Sequence, residues 1–89
     1  MRESFVERKL TSLVKERGGW AIKFVPSVSG LPDRIVLLPT GRFFFVELKA
    51  PKGVVAPHQK VVHAKLKRLG FPVAVLSSVA EVEAWMQAN

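Results

Sequence analysis

The sequence has no cysteine. That excludes disulfide staples, zinc knuckles, thiolate nucleophiles and cysteine-ligated iron–sulfur clusters. No apolar run approaches the roughly 18 residues of a bilayer span, so no membrane partner is expected. The opening residues, Met1-Arg2-Glu3-Ser4, lead into mixed charge without the apolar stretch of a signal peptide. A soluble cytoplasmic protein is the expectation. Acids are scarce as well: seven Asp and Glu face fourteen Lys and Arg, for a formal charge of +7. Such an excess favours an anionic partner, with nucleic acid the leading case. A membrane surface, or solubility alone, accounts for the same charge.

What is present reads as one domain. The chain has 89 residues, with no internal repeat and no linker, so 1–89 is a single unit. A hydrophobic content of 48% against 24% charged argues against disorder. The core is small and the stability margin thin.

Periodicity and punctuation predict the order α-β-β-β-α-β-α. The spacing of Phe5, Val6, Leu10, Leu13 and Val14 predicts a helix from Ser4 to Arg17, stopped by Gly18-Gly19. Glu7 lies near the edge of its apolar face. Trp20 to Val25, Arg34 to Leu38 and Phe43 to Lys49 read as strands. Pro39-Thr40-Gly41-Arg42 is the turn of an antiparallel hairpin. With its centre between Thr40 and Gly41, position 33 faces 48 and 34 faces 47, so Asp33 and Glu47 meet diagonally. A second helix is predicted from Pro57 to Leu69, with Val62, Leu66 and Leu69 inward and Gln59 on the same face. A fourth strand over Pro72 to Leu76 follows. Ser78 with Glu81 has capping-box spacing for a last short helix carrying Val82, Trp85 and Met86.

The residues with chemistry to offer gather at the open end of the hairpin. Glu47 and Lys49 are two apart on a strand and project from one face. Asp33 approaches from the neighbouring strand. Two carboxylates brought together repel unless a cation joins them. A hard divalent ion such as Mg²⁺ or Mn²⁺ accepts such oxygen ligands. A lysine beside it can orient a water or stabilise charge on a phosphate. No organic cofactor is called for.

The run Gly30-Leu31-Pro32-Asp33-Arg34, followed after the hairpin by Glu47-Leu48-Lys49, resembles the PD-(D/E)xK nuclease core. More closely, the chain resembles the virus-type replication–repair nuclease (VRR-NUC) domain. Glu7, Gly30 with Pro32 and Asp33, Glu47 with Lys49, and Gln59 match that family's motifs in order, and Lys49-Ala50-Pro51-Lys52-Gly53 resembles its usual continuation. The resemblance implies an α/β fold with an αβββαβ core and a mixed four-stranded sheet flanked by helices. It implies divalent-ion-dependent hydrolysis of DNA phosphodiesters, in branched substrates such as four-way junctions. It implies Asp33, Glu47 and the backbone carbonyl of Leu48 as metal ligands, Lys49 beside the attacking water, Glu7 completing the acidic site directly or through water, and Gln59 ordering the site. Compact members of the family resemble phage-associated homodimers, which implies a homodimer in the cytoplasm of a bacterium or a phage-infected host. Ala56 departs from the family's more usual polar cap.

Each of these residues also has a plainer reading. Asp33 is then a turn acid after Pro32, Glu47 and Lys49 a solvent-facing ion pair, Glu7 a helix-surface acid and Gln59 a helix-start residue. Gly30 and Pro32 serve the backbone before Asp33. Lys23, Arg34, Arg42, Lys52 and Lys60 are candidate phosphate contacts, as are Lys65, Lys67 and Arg68 on the second helix, though a charged solvated face is normal. His58 and His63 lie about 140° apart on a helix and are expected at the surface. Phe43, Phe44 and Phe45 are expected in the sheet core. A basic nucleic-acid-binding module without catalysis is the alternative function, and it leaves the acidic cluster unexplained.

Overall fold

The computed structural model describes residues 3–89, with side-chain surroundings from Ser4 onward; Met1 and Arg2 of the opening segment lie outside the described residues. The elements are α1 (Glu3–Glu16), β1 (Trp20–Lys23), β2 (Arg34–Leu38), β3 (Arg42–Leu48), α2 (Pro57–Arg68), β4 (Val73–Leu76) and α3 (Val79–Ala88). The strands form one sheet in the order β1-β2-β3-β4. The first three run antiparallel, and β4 lies parallel to β3 because α2 carries the chain back between them. This is the α/β arrangement with a mixed four-stranded sheet that the sequence predicted.

Helices α1 and α3 cover one face of the sheet. Val6, Leu10 and Val14 recur at helical spacing on α1 and are fully buried. They meet Val36 and Leu38 of β2, Val46 and Leu48 of β3, Leu76 of β4, and Val82 and Met86 of α3. Trp85 adds an edge-to-face contact with Phe44, ring centroids 5.1 Å apart. The start of α3 is capped by Ser78, whose hydroxyl accepts from the Glu81 N–H at 3.0 Å. Glu81 returns its carboxylate to Ser77, one residue before the cap.

The opposite face is only partly covered. Helix α2 packs against β4 and does not span the sheet. Its face is rotated from the predicted one: Val62 and Leu66 are half-buried, Leu69 is 64% exposed, and His63 is the buried residue. A helix set over the sheet's edge needs only a narrow apolar stripe. Phe43, Phe45 and Phe71 form an edge-to-face cluster on this side, with Phe43 and Phe45 centroids 4.9 Å apart. Trp20 is 66% exposed and Phe71 46%. Phe43, Phe44 and Phe45 are all half-buried, with Phe44 packed against the closed core on the other face.

The hairpin register differs by one residue from the expectation. Leu38 pairs with Arg42 and Arg34 with Val46. The loop is Pro39-Thr40-Gly41, centred on Thr40, and β3 begins at Arg42. Thr40 and Gly41 both adopt positive φ, at 71° and 76°. Gly41 does so without steric cost; Thr40 takes a conformation rare for a β-branched residue, a possibility the sequence pattern did not reveal.

The loop before β2 is fixed by contact with α2. Gly30 has φ of 92°, and a Cβ there would lie 2.8 Å from the His58 carbonyl oxygen and 2.9 Å from Val62 Cγ2. The loop and the first turn of α2 thus approach at backbone distance, next to Pro32, which is fully buried. Gly30→Ala is expected to destabilise the fold by about 1–3 kcal/mol, through positive φ and this clash together, as a shift in urea midpoint.

His63 is buried with no hydrogen-bond partner for Nε2. Burial, and then the charges of Lys67 and Lys49, lower its pKa from 6.5. The folded state therefore favours neutral imidazole, while the unfolded chain still takes up a proton near 6.5. The stability linked to His63 is complete above that value and is lost as pH falls toward the lower folded pKa. Between about pH 7.5 and about pH 5.5, the urea midpoint of the native chain should fall more than that of His63→Leu; equal falls would contradict this assignment.

Candidate active site

The ladder between β1 and β2 extends one step past the strands. The Asp33 carbonyl accepts from the Phe24 N–H at 2.9 Å, so Asp33 is held in extended backbone at the start of β2. Continuing the β2–β3 register by one step sets Asp33 directly opposite Glu47, not diagonal to it. Strand alternation then puts Asp33, Glu47 and Lys49 on one face, the face that α1 and α3 leave uncovered. Glu47 lies in an interior strand, paired with Val75 of β4. Its side chain is 9% exposed, and Lys49 Nζ lies 3.7 Å from its Oε2. The main chain of Lys49 donates to the Leu76 carbonyl at 3.0 Å, which holds the lysine at the end of the β3–β4 ladder. The Glu47–Leu48–Lys49 stretch is thus built on a strand hydrogen-bonded on both sides, a stiff support for a reactive group.

Asp33 Oδ1 is buried and has no hydrogen-bond partner. A buried carboxylate oxygen without a hydrogen bond is costly, and a bound cation relieves that condition. Among the described residues, no three His, Asp or Glu side chains gather as a group. The donor set on offer is therefore a carboxylate pair. That set suits Mg²⁺ or Mn²⁺, which keep several waters and bind through one or two carboxylates and substrate oxygens.

Glu7, expected to complete the acidic site directly or through water, is paired with Arg34. It sits on α1, on the far face of the sheet, and meets Arg34 there: Glu7 Oε2 forms an ion pair with Arg34 Nη2. Alternation along β2 is the reason. Residue 33 points to one face and residue 34 to the other, where α1 packs. Arg34 Nη1 lies 3.8 Å from Asp33 Oδ1, so one guanidinium stands between the two acids.

Arg34 is accordingly not the surface cation expected for phosphate contact; its side chain is 5% exposed and already paired. The other basic candidates are exposed but scattered. Lys23 ends β1 and lines a small cavity of about 70 Å³ with Glu7 and Arg34. Arg42 stands at the far end of β3, its guanidinium 5.5 Å from the Phe44 ring centre. Five residues of strand, about 17 Å, separate it from Glu47. Lys52 lies in the loop after Lys49, at φ 65°, and Lys60 on α2 flanks a cavity with His63 and Lys67. Of this set, Lys52 lies closest in sequence to the carboxylates.

Gln59 takes the helix-start role of its plainer reading. Its Oε1 accepts from the Ala56 N–H at 3.0 Å. Ala56 has no side-chain oxygen to cap α2, so Gln59 supplies the return half of a capping box alone. Gly30 meets the same first turn. The residues around Asp33 and the start of α2 are therefore held to each other. Arg34 as a buried partner and His63 as a buried imidazole were both missed. For Arg34 a signal existed: it shares the period-two face of Val36 and Leu38, the most apolar stripe of β2.

Comparison with known proteins identifies the family and the fold. A family model, the VRR-NUC domain, matches residues 3–80, from α1 to the first residues of α3. A relative from Acyrthosiphon pisum secondary endosymbiont phage 1, named "Putative nuclease p44", is 48% identical over 79 residues, covering 88% of this chain and 85% of that protein. A solved structure described as a VRR_NUC domain superposes with a TM-score of 0.87 at 30% identity, over 96% of this chain and 94% of that one. With nearly the whole fold and both strand motifs inside these matches, the chain belongs to the VRR-NUC family of nuclease domains.

Proposed function

We propose that this nuclease is a divalent-metal-dependent endonuclease that hydrolyses phosphodiester bonds in branched DNA such as four-way junctions. The observation that carries the chemistry is the opposition of Asp33 and Glu47 on one face, with the Lys49 ammonium 3.7 Å from Glu47. Asp33, Glu47 and the main-chain carbonyl of Leu48 would hold Mg²⁺ or Mn²⁺. Bound there, the ion supplies positive charge against the phosphate and acidifies a coordinated water. Lys49 holds its ammonium at the same place, where negative charge grows on the phosphate as water attacks. Gln59 and Gly30 fix the first turn of α2 against the Asp33 loop, which limits how far the two carboxylates can drift. The basic surface, including Lys52 and Lys60, draws in the DNA backbone.

The expected outcome is cleavage of labelled junction DNA with Mg²⁺ or Mn²⁺ and none with chelator. Asp33→Asn and Glu47→Gln should each lower the rate by about 10²–10³ or more, and Lys49→Ala by about 10², the scale of losing one preorganised electrostatic group. A panel of four-way junction, Y-form, flap and linear duplex tests the substrate; equal rates on all four would remove the preference for branches. DNA binding with no cleavage under any of these conditions would favour the non-catalytic module.

We also propose that the chain works as a homodimer through the uncovered sheet face. Phe71 stands exposed there against the Phe43–Phe45 pair, and Trp20 stands exposed on the edge strand β1, two strands away from Phe43. An apolar patch on a small monomer is a common sign of an interface, and a two-fold protein matches a two-fold junction. Light scattering should give about twice the 9.9 kDa chain mass, and Trp20→Glu with Phe71→Glu should return it to the monomer. A monomeric native chain at micromolar concentration would remove the dimer.

A further inference from the structure

We propose that the pocket between α2 and β4 is a phosphate-binding subsite, in which Lys60, Lys67 and the imidazole N–H of His63 hold a DNA backbone phosphate close to the scissile one. The inference rests on the reading of the chain as a DNA nuclease and names where the strand is gripped beyond the carboxylates.

Helix α2 carries four cations and no acid. Lys60, His63, Ala64 and Lys67 recur at i, i+3, i+4 and i+7, so they share one stripe of the helix. A stripe of that spacing is normally apolar where a helix faces a sheet. Here it lines a cavity of about 320 Å³ whose remaining wall is Val55 and Val75. Among the described residues, neither Lys60 nor Lys67 has an acid within ion-pair distance. Two ammonium groups at one pocket without an internal counter-charge attract an anion from outside.

His63 points the same way on separate grounds. It is 6% exposed, and its Nε2 is buried with no hydrogen-bond partner. Such an atom costs the fold free energy until a partner reaches it. Lys60 and Lys67 share the pocket, and the charges of Lys67 and Lys49 act on the ring, so the partner these surroundings favour is an anion. A neutral imidazole keeps one N–H to donate to it. Nε2 has almost no contact with solvent, so the ring turns about its Cβ–Cγ bond to present that N–H as a phosphate enters.

The position suits a substrate already lying across the carboxylates. Val75 pairs with Glu47 in the parallel β3–β4 register. Paired residues on neighbouring strands share a face about 4.8 Å apart, so the cavity adjoins Glu47 on the side of α2. Successive phosphates of a duplex strand advance about 3.4 Å along the axis, which brings one a nucleotide or two from the scissile bond to this pocket. Held there, it sets the register of the strand on the site without reading its sequence.

The test titrates inorganic phosphate, without metal or DNA, into the full ¹⁵N-labelled chain and follows the imidazole signals. Those of His63 should shift saturably. Lys60→Ala with Lys67→Ala should weaken that titration by about tenfold or more, the scale of hydrogen bonds to charged groups. Lys65→Ala with Arg68→Ala removes equal charge from the same helix, off the stripe, and should weaken it by less than about threefold. All four positions are exposed, and urea unfolding confirms that both variants are folded. The same pairs are then compared for binding four-way junction DNA in chelator, where nothing is cut. Loss of Lys60 and Lys67 should lower affinity by about tenfold and reduce the salt slope by about one, with a smaller loss from the control pair. Equal losses from both pairs, or His63 signals that phosphate does not move, would overturn the inference. If phosphate fills the pocket while the native chain with Mn²⁺ cuts no DNA, the phosphate site stands and the catalytic reading fails; if the native chain cuts and the titration is flat, the subsite alone fails.

Discussion

The register of β2 against β3 is the constraint on which the rest of the site depends. Side chains on a strand alternate with a period of two, so one residue of slippage would send Glu47 to a different partner. The observed pairing sets Asp33 opposite Glu47 and Arg34 opposite Val46. That single choice puts two acids on the uncovered face and one arginine on the face of α1. It is determined at the far end of the hairpin, where Pro39, Thr40 and Gly41 make the turn. The geometry of the candidate site is therefore set by a loop at the other end of the hairpin.

Charge at the open end of the hairpin is arranged in layers through the sheet. On one face Lys49 stands beside Glu47, and on the other Arg34 is held by Glu7. Asp33 lies between these pairs, near Arg34 but not hydrogen-bonded to it at Oδ1. Each buried or half-buried cation thus has an acid, and the remaining acid is the one that the metal reading needs. Such an arrangement is costly to the fold, since satisfied ion pairs seldom add much net stability and unsatisfied oxygens subtract from it. Its persistence is easier to account for by function than by packing. The buried, neutral His63 belongs to the same logic: an extra positive charge beside Lys49 and Lys67 is disfavoured.

Much of this was legible in the sequence. Helical spacing in α1, the Gly18-Gly19 stop, the Ser78 cap and the β-rich segments gave the element order, because local pattern dominates in each. Asp33, Glu47 and Lys49 could be brought together from strand alternation and one turn. The misreadings share a cause, which is tertiary placement. The hairpin slipped by one because Thr40 accepts positive φ, a cost that local statistics weigh against. Leu69 was placed inward because a helix stripe was assumed to face the middle of a sheet, whereas α2 lies over its edge. The Glu7–Arg34 pair went unread because order along the chain carries no information about which strand residues α1 meets. Arg34, by contrast, was readable from its shared face with Val36 and Leu38; its charge concealed it.

The two faces of the sheet make opposite demands, and the described elements close only one of them. Helices α1 and α3 close one face with ten buried hydrophobic residues. The other face must stay open near Asp33 and Glu47 for a substrate as large as DNA to approach. The open face is therefore divided. Near the carboxylates it is polar and flanked by α2; farther along it is aromatic, with Phe43, Phe45, Phe71 and Trp20. A second copy covering only the aromatic part would remove apolar surface from water while leaving the acidic end free. On that argument, the exposed rings and the open carboxylate end have one origin: a fold whose helices α1 and α3 close only one face of its sheet.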